Sequence, residues 1–198
     1  SQDGSCRKQP FVVGVQSGAR IASSKPPRVL MEAPDAPQQT DISNIGEFGL
    51  IALMRDTLGA DPEGDGDDNL VSGIGDDTAV YRVGDGQVHL LTTDALTEGI
   101  HFDRSFMPME HLGFKAMSVN VSDVAAMNAE PRYATVTLGL SQQVTVEMVE
   151  TIYDGVKEAC DAYDVTVVGG DTGSAHALSL SVTVGGTAGE DDVVYRGG

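Results

Sequence analysis

The stretch Ala134-Thr135-Val136-Thr137-Leu138-Gly139-Leu140 alternates apolar side chains with small polar ones. Successive residues of a strand point to opposite faces, so this period of two describes a strand with one face in a core and the other outside it. Pro131 opens that unit. Downstream, Thr145 stands at a helix-cap position with Glu147 in the first turn, and Val149, Ile152, Val156, Cys160 and Tyr163 recur at helical spacing as the expected buried stripe. Residues 165–168 read as a short buried strand ending in a Gly169-Gly170-Asp171-Thr172 turn. Leu178, Leu180, Val182 and Val184 then alternate with Ser and Thr as another strand.

Upstream, Pro108 opens a helix running to about Asn128, with Leu112, Ala116, Val119 and Asp123 at spacings of three and four. That spacing places an acid on a face that is otherwise small or apolar. Before it, residues 78–83 and a run from Val88 through Leu91 into Thr92-Thr93-Asp94 flank Gly84-Asp85-Gly86, the pattern of a hairpin, and residues 95–102 read as a loop. Phe48, Ile51, Met54 and Leu58 predict a further amphipathic helix that stops at Gly59. The order of elements predicts an α/β (α+β) fold, a mixed and largely antiparallel four-stranded sheet with helices on one face. A sheet covered on one face needs a partner for the other, and its small hydroxyls and aliphatics point to a second subunit.

The chain has 198 residues, enough for a real core, and carries a net charge of -18 from 12 basic and 30 acidic side chains. This excess argues against nucleic acid or an anionic membrane as partner. Residues 1–40 hold five basic and three acidic side chains, whereas the remainder holds seven and 27. Such self-repulsion points to a protein adapted to high salt. No apolar run reaches membrane-spanning length, and the N-terminus lacks the pattern of a secretory signal, so a soluble, cytoplasmic protein is expected. Two cysteines, Cys6 and Cys160, indicate neither a disulfide framework nor a zinc site. Residues 1–40, rich in Gln, Ser, Pro and Gly, read as a disordered extension, and residues 61–69 as an acidic surface turn: a calcium loop there would require Glu where Ser72 stands.

Against that acidic background, Asp77, Asp94, Asp123 and Asp171 share one context, each beside small or hydroxyl residues and three of them bordering an apolar strand. Asp77 belongs to Gly73-Ile74-Gly75-Asp76-Asp77, two adjacent carboxylates on a glycine-flexed backbone. Neighbouring like charges make sense beside a cation, and oxygen donors with hydroxyl helpers favour magnesium over zinc. A magnesium cluster is matched by polyphosphate, although the chain contains no Gly-x-x-x-x-Gly-Lys-Ser/Thr loop. His101 lies in the loop next to a candidate ligand strand; its spacing fits a substrate contact and a polar loop residue equally.

Taken together, Gly46-Glu47-Phe48, Gly73-Ile74-Gly75-Asp76-Asp77, Thr92-Thr93-Asp94, Gly99-Ile100-His101-Phe102, the run Lys115-Ala116-Met117-Ser118-Val119-Asn120-Val121-Ser122-Asp123, Ala125-Ala126-Met127 and Gly169-Gly170-Asp171-Thr172 resemble thiamine-monophosphate kinase. The resemblance covers residues 45–198. It implies the N-terminal ATP- and magnesium-binding domain of the aminoimidazole ribonucleotide synthase-like fold, and ATP-dependent phosphorylation of thiamine monophosphate to thiamine diphosphate. Carried over by position, Asp77, Thr92, Thr93, Asp94, Asp123 and Asp171 match ligands of several magnesium ions, with Asp94 and Asp123 able to bridge. Asp76 matches less well than Asp77. His101 matches the substrate contact, and Tyr153, Gly170, Asp171 and Arg196 match nucleotide-binding positions. The resemblance also implies a homodimer formed by the N-terminal sheets. No counterpart of the family's second domain follows within the 198 residues, so this chain alone is expected to have little or no activity. Two other readings remain open: an ATP-using relative such as selenophosphate synthetase or the hydrogenase maturation factor, and a non-catalytic dimerising fragment.

Overall fold

The computed structural model describes residues 40–60 and 68–197. The expected extension at 1–40, most of the acidic turn at 61–69, and Cys6 lie outside the described residues. Among the described residues, three α-helices, α1 (Gly46–Leu58), α2 (Met109–Ala126) and α3 (Val146–Tyr163), accompany six strands. These are β1 (Leu70–Ser72), β2 (Ala79–Gly84), β3 (Gln87–Thr97), β4 (Glu130–Leu140), β5 (Thr166–Ser174) and β6 (Ser179–Gly189). They form one sheet in the order β1-β2-β3-β6-β4-β5. Only β4 and β5 pair in parallel, joined through α3; the other pairings are antiparallel.

The mixed, mostly antiparallel character matches the expectation, but the sheet has six strands and not four. Two of the differences have local causes. Leu70–Ser72 is too short to show a period, yet it pairs with β2 through an irregular register. Gly169-Gly170-Asp171-Thr172, expected as a turn, instead continues β5 along the sheet edge. An irregularity between Ala134 and Thr135 leaves an extra β5 residue before Gly169, and a Cβ at Gly170 would overlap the Val136 carbonyl oxygen. The glycine signal marks a bulged, close-approaching edge strand. Strand β3 likewise runs to Thr97, through the first three residues of the expected loop.

Local chemistry explains the boundaries that were foreseen. Asp85 and Gly86 both have positive φ, 54° and 69°, and make the two-residue hairpin turn between β2 and β3. Gly59 closes α1 at φ 65°. The Thr145 hydroxyl accepts the Met148 amide at 3.3 Å as the cap of α3.

The core lies between one face of the sheet and helices α2 and α3. Val88 and Leu90 of β3, Ala134, Val136 and Leu138 of β4, and Leu180, Val182 and Val184 of β6 all point into it. On α2 the buried stripe is Leu112, Gly113, Ala116, Met117, Asn120, Val121 and Val124, one step away from the expected Val119. The shift has a reason in α3, whose buried residues are Ile152, Gly155, Val156 and Ala159. A side chain at Gly113 would overlap the Ile152 carbonyl, and one at Gly155 the Glu110 carbonyl, so the two helices cross backbone to backbone at paired glycines. Val149, Cys160 and Tyr163 pack at the margin. Across the sheet, the opposite face is open among the described residues, with Leu91 and Tyr133 exposed. Among the described residues, no helix is long and apolar enough to cross a membrane.

Candidate functional site

Register places the candidate residues. Thr92 and Asp94 are two apart on β3, and Asp94 pairs with the buried Val182, so both project toward the helix-covered face. There α2 presents Asp123, and the Thr92 hydroxyl donates to Asp123 Oδ2 at 3.1 Å. Burial pushes the Asp123 carboxyl above the ordinary range; the Thr92 hydrogen bond and Arg196 oppose the rise, and the charges of Asp94 and Asp77 add to it. Asp77, Thr92, Asp94 and Asp123 therefore form one electrostatically linked group.

Asp77 precedes β2 in a turn fixed from two sides. Thr78 is buried, and its hydroxyl donates to the Met127 sulfur at the end of α2. The Asp76 carboxylate accepts the Asp77 amide at 2.8 Å and the Arg196 amide at 3.2 Å, while the Arg196 guanidinium pairs with the Asp77 carboxylate. The two aspartates thus have separate jobs. Asp76 holds backbone in place, and Asp77 offers its charge to a cation. Arg196 arrives by way of the segment after β6, which is tied to the end of α2 by Val194 N–H donating to the Met127 carbonyl and Asn128 Nδ2 donating to the Asp192 carbonyl.

Thr93 and Asp171 point to the opposite face of the sheet, although Thr93 still lines the cleft with Asp77 and Thr92. Thr93 lies on the open face, its hydroxyl donating to the Val182 carbonyl and accepting from Thr183. Asp171 is in register with the exposed Thr137, which is in register with Ser181 and, through it, with Ala95. That is three strand spacings, about 14 Å, from β3. Within one chain Asp171 does not join the other acids. Among the described residues no three His, Cys, Asp or Glu side chains are grouped so as to hold a metal ion as they stand. The chemistry of the donors, carboxylates with a threonine hydroxyl, nevertheless suits a hard divalent cation. Tyr153 is half-exposed on α3, and no hydrogen bond or ion pair is found between it and the acids. Burial pushes the Cys160 thiol up, which leaves it a poor nucleophile.

A cleft of about 550 Å³ opens beside the acids, with Phe48 and Met54 of α1 on one wall and Asp77, Thr92, Thr93 and Arg196 on another. An apolar wall facing a charged one suits a ligand with a flat apolar part and an anionic part. The loop beyond β3 holds His101, whose Nδ1 accepts the Thr97 amide at 3.0 Å. Two roles at the site were not assigned from the motifs that contain them: Asp76 as a backbone acceptor, and Lys115, whose ammonium donates to the His101 carbonyl at 3.2 Å. The contact between an α2 residue and a loop 14 positions earlier gives no local signal in the sequence.

The family model described as AIR synthase related protein, N-terminal domain, matches residues 75–188. Among curated proteins, the thiamine-monophosphate kinase of Aquifex aeolicus is 43% identical over 141 residues, covering 71% of this chain and 42% of that protein. The thiamine-monophosphate kinase of Synechococcus elongatus is 31% identical over 155 residues, covering 78% of this chain and 44% of that protein. A solved structure described as AaThiL complexed with AMPPCP and TMP superposes with a TM-score of 0.69 at 39% identity, covering 80% of this chain and 46% of that one. The chain spans less than half the length of these relatives.

Proposed function

The chain belongs to the AIR synthase related family through its N-terminal domain, and on that premise we propose that residues 45–198 are the nucleotide- and magnesium-binding half of a thiamine-monophosphate kinase, which transfers a phosphoryl group from ATP to thiamine monophosphate. The observation that carries this reading is the group Asp77, Thr92, Asp94 and Asp123, of which Asp77 and Thr92 line the cleft together with Arg196. The likeness to the AaThiL complex with AMPPCP and TMP supports the choice of ligands.

The acceptor is a phosphate whose oxygen is already ionised near pH 7, so the reaction needs no general base and rests on positioning and charge neutralisation. Magnesium, when bound, supplies that neutralisation. Asp77, Asp94 and Asp123 would hold it, with Thr92 orienting Asp123. Arg196 supplies a guanidinium for the nucleotide phosphates and exchanges its contact with Asp77 as they enter. His101 faces the acceptor. Thr93, Asp171, Gly170 and Tyr153 complete the site with a second copy of the chain, which covers the open face and the exposed apolar residues of α1. Calorimetric titration of AMPPCP in magnesium, followed by thiamine monophosphate, tests the reading. Saturable binding of both is expected, and absence of nucleotide binding would overturn it.

A further inference from the structure

In a chain of net charge -18, a cation without a carboxylate partner is unusual. Among the described residues, Arg82, Arg104, Arg132, Lys157 and Arg196 each form an ion pair. Lys115 forms none. Its ammonium spends one N–H on the His101 carbonyl, at 3.2 Å, and has two more to offer.

The residue it touches is itself set as a donor. His101 Nδ1 accepts the Thr97 amide at 3.0 Å, so in the neutral ring the proton sits on Nε2. The main chain that carries the ring is itself held by hydrogen bonds. The His101 and Ile100 amides both donate to the Thr97 carbonyl, and Gly99 donates to the Phe102 carbonyl. At the base of the loop, Glu98 takes Arg104 Nε at 2.5 Å and the Leu178 amide at 3.3 Å. Thus Arg104 is spent on structure, whereas Lys115 keeps its charge available.

Position completes the argument. Lys115 and Asp123 are eight residues apart on α2, an axial rise of about 12 Å. The acid group at Asp123 and the donors at Lys115 therefore lie along one rigid element, a separation that a polyphosphate chain and an acceptor phosphate can span. We propose that Lys115 and the Nε2–H of His101 form an anion-receiving pair for the phosphate of the acceptor, and that Lys115 makes the site specific for a phosphorylated acceptor. The proposal rests on the kinase reading above. An ammonium recognises a phosphomonoester dianion as a point charge, and the imidazole N–H fixes one of its oxygens.

The test follows the side-chain nitrogen signals of Lys115 and His101 by NMR while the 198-residue chain is titrated with thiamine monophosphate and, separately, with unphosphorylated thiamine. Thiamine monophosphate moves both signals and thiamine moves neither. Lys115→Met loses roughly tenfold in affinity for thiamine monophosphate, and Lys115→Arg, which keeps the charge, recovers most of it. Unchanged affinity in Lys115→Met, or equal shifts with thiamine, would overturn the proposal. AMPPCP binding is measured in parallel. If AMPPCP binds while thiamine monophosphate leaves both signals still, the pair is wrong and the kinase reading stands. If both signals move while AMPPCP does not bind, the pair stands and the kinase reading falls.

Discussion

Helices α1 and α3 carry the same kind of apolar stripe, yet only one of them is buried. On α3, Ile152 and Val156 are sealed against α2 and the sheet, whereas on α1 Phe48 is 81% exposed and Leu58 69% exposed. The periodic signal is present in both segments but weaker in α1, and the surface available to meet it differs as well. The α2–α3 crossing is closed by the glycines at 113 and 155, while α1 stands beside the cleft with its apolar side uncovered by any described residue. An amphipathic pattern therefore reports that a face must be buried, but the burying surface can come from a ligand or another copy of the chain.

The largest effect is expected where the comparison is tightest. Gly155→Val would drive a side chain into the Glu110 carbonyl and force the helices apart. Overpacking of this kind costs about 1–3 kcal/mol, read as a drop of several degrees in the unfolding midpoint. Asp77→Asn and Asp76→Asn come next and divide the adjacent carboxylates. Loss of the Asp77 charge weakens magnesium-dependent AMPPCP binding by roughly tenfold or more, whereas Asp76→Asn acts mainly on stability, because its acceptor role is to backbone amides. Equal losses of affinity would show that the two do not differ in role.

Asp123→Asn gives a smaller effect with a defined sign. Because burial raises its carboxyl in the fold, ionisation is disfavoured there, and the contribution of Asp123 to stability falls as pH rises above the ordinary value of 3.8 toward the raised one. Without metal, the amide variant gains on the wild type across that window, on the order of 1–2 °C in midpoint. In magnesium and AMPPCP the order reverses. The smallest effect belongs to Phe48→Ser on α1, within about 0.5 kcal/mol for dilute, unliganded chain. If it instead proves costly only at concentrations where the chain self-associates, a second copy is what covers α1.

Much of this architecture was readable in the sequence because its signals are local. The alternation at 134–140, the Thr145 cap, the Asp85-Gly86 turn and the Gly59 stop each depend on residues within one or two turns of chain. The misreadings arose from contacts distant in sequence. Gly169-Gly170 looks like a turn until Val136 is placed against it, and Val119 fits a helical stripe until Gly113 and Gly155 set the angle at which α2 meets α3. At the site, the spacing of Asp77, Asp94 and Asp123 in hydroxyl-rich, apolar contexts identified the acids that the fold brings together. Alternation along the strand already separates Thr93 from Thr92 and Asp94, but the same reasoning could not place Asp171, whose position depends on strand register. Nor could it distinguish Asp76 from Asp77 by charge, because the difference lies in which backbone amides each faces.

The central claim is that these acids hold a nucleotide through a divalent cation. It is tested most directly by measuring AMPPCP affinity for the wild-type chain in magnesium and in EDTA, with Asp94→Asn alongside. The account predicts that wild-type affinity falls by roughly tenfold or more in EDTA and that Asp94→Asn shows little of this dependence. Equal wild-type affinity in both conditions would contradict it.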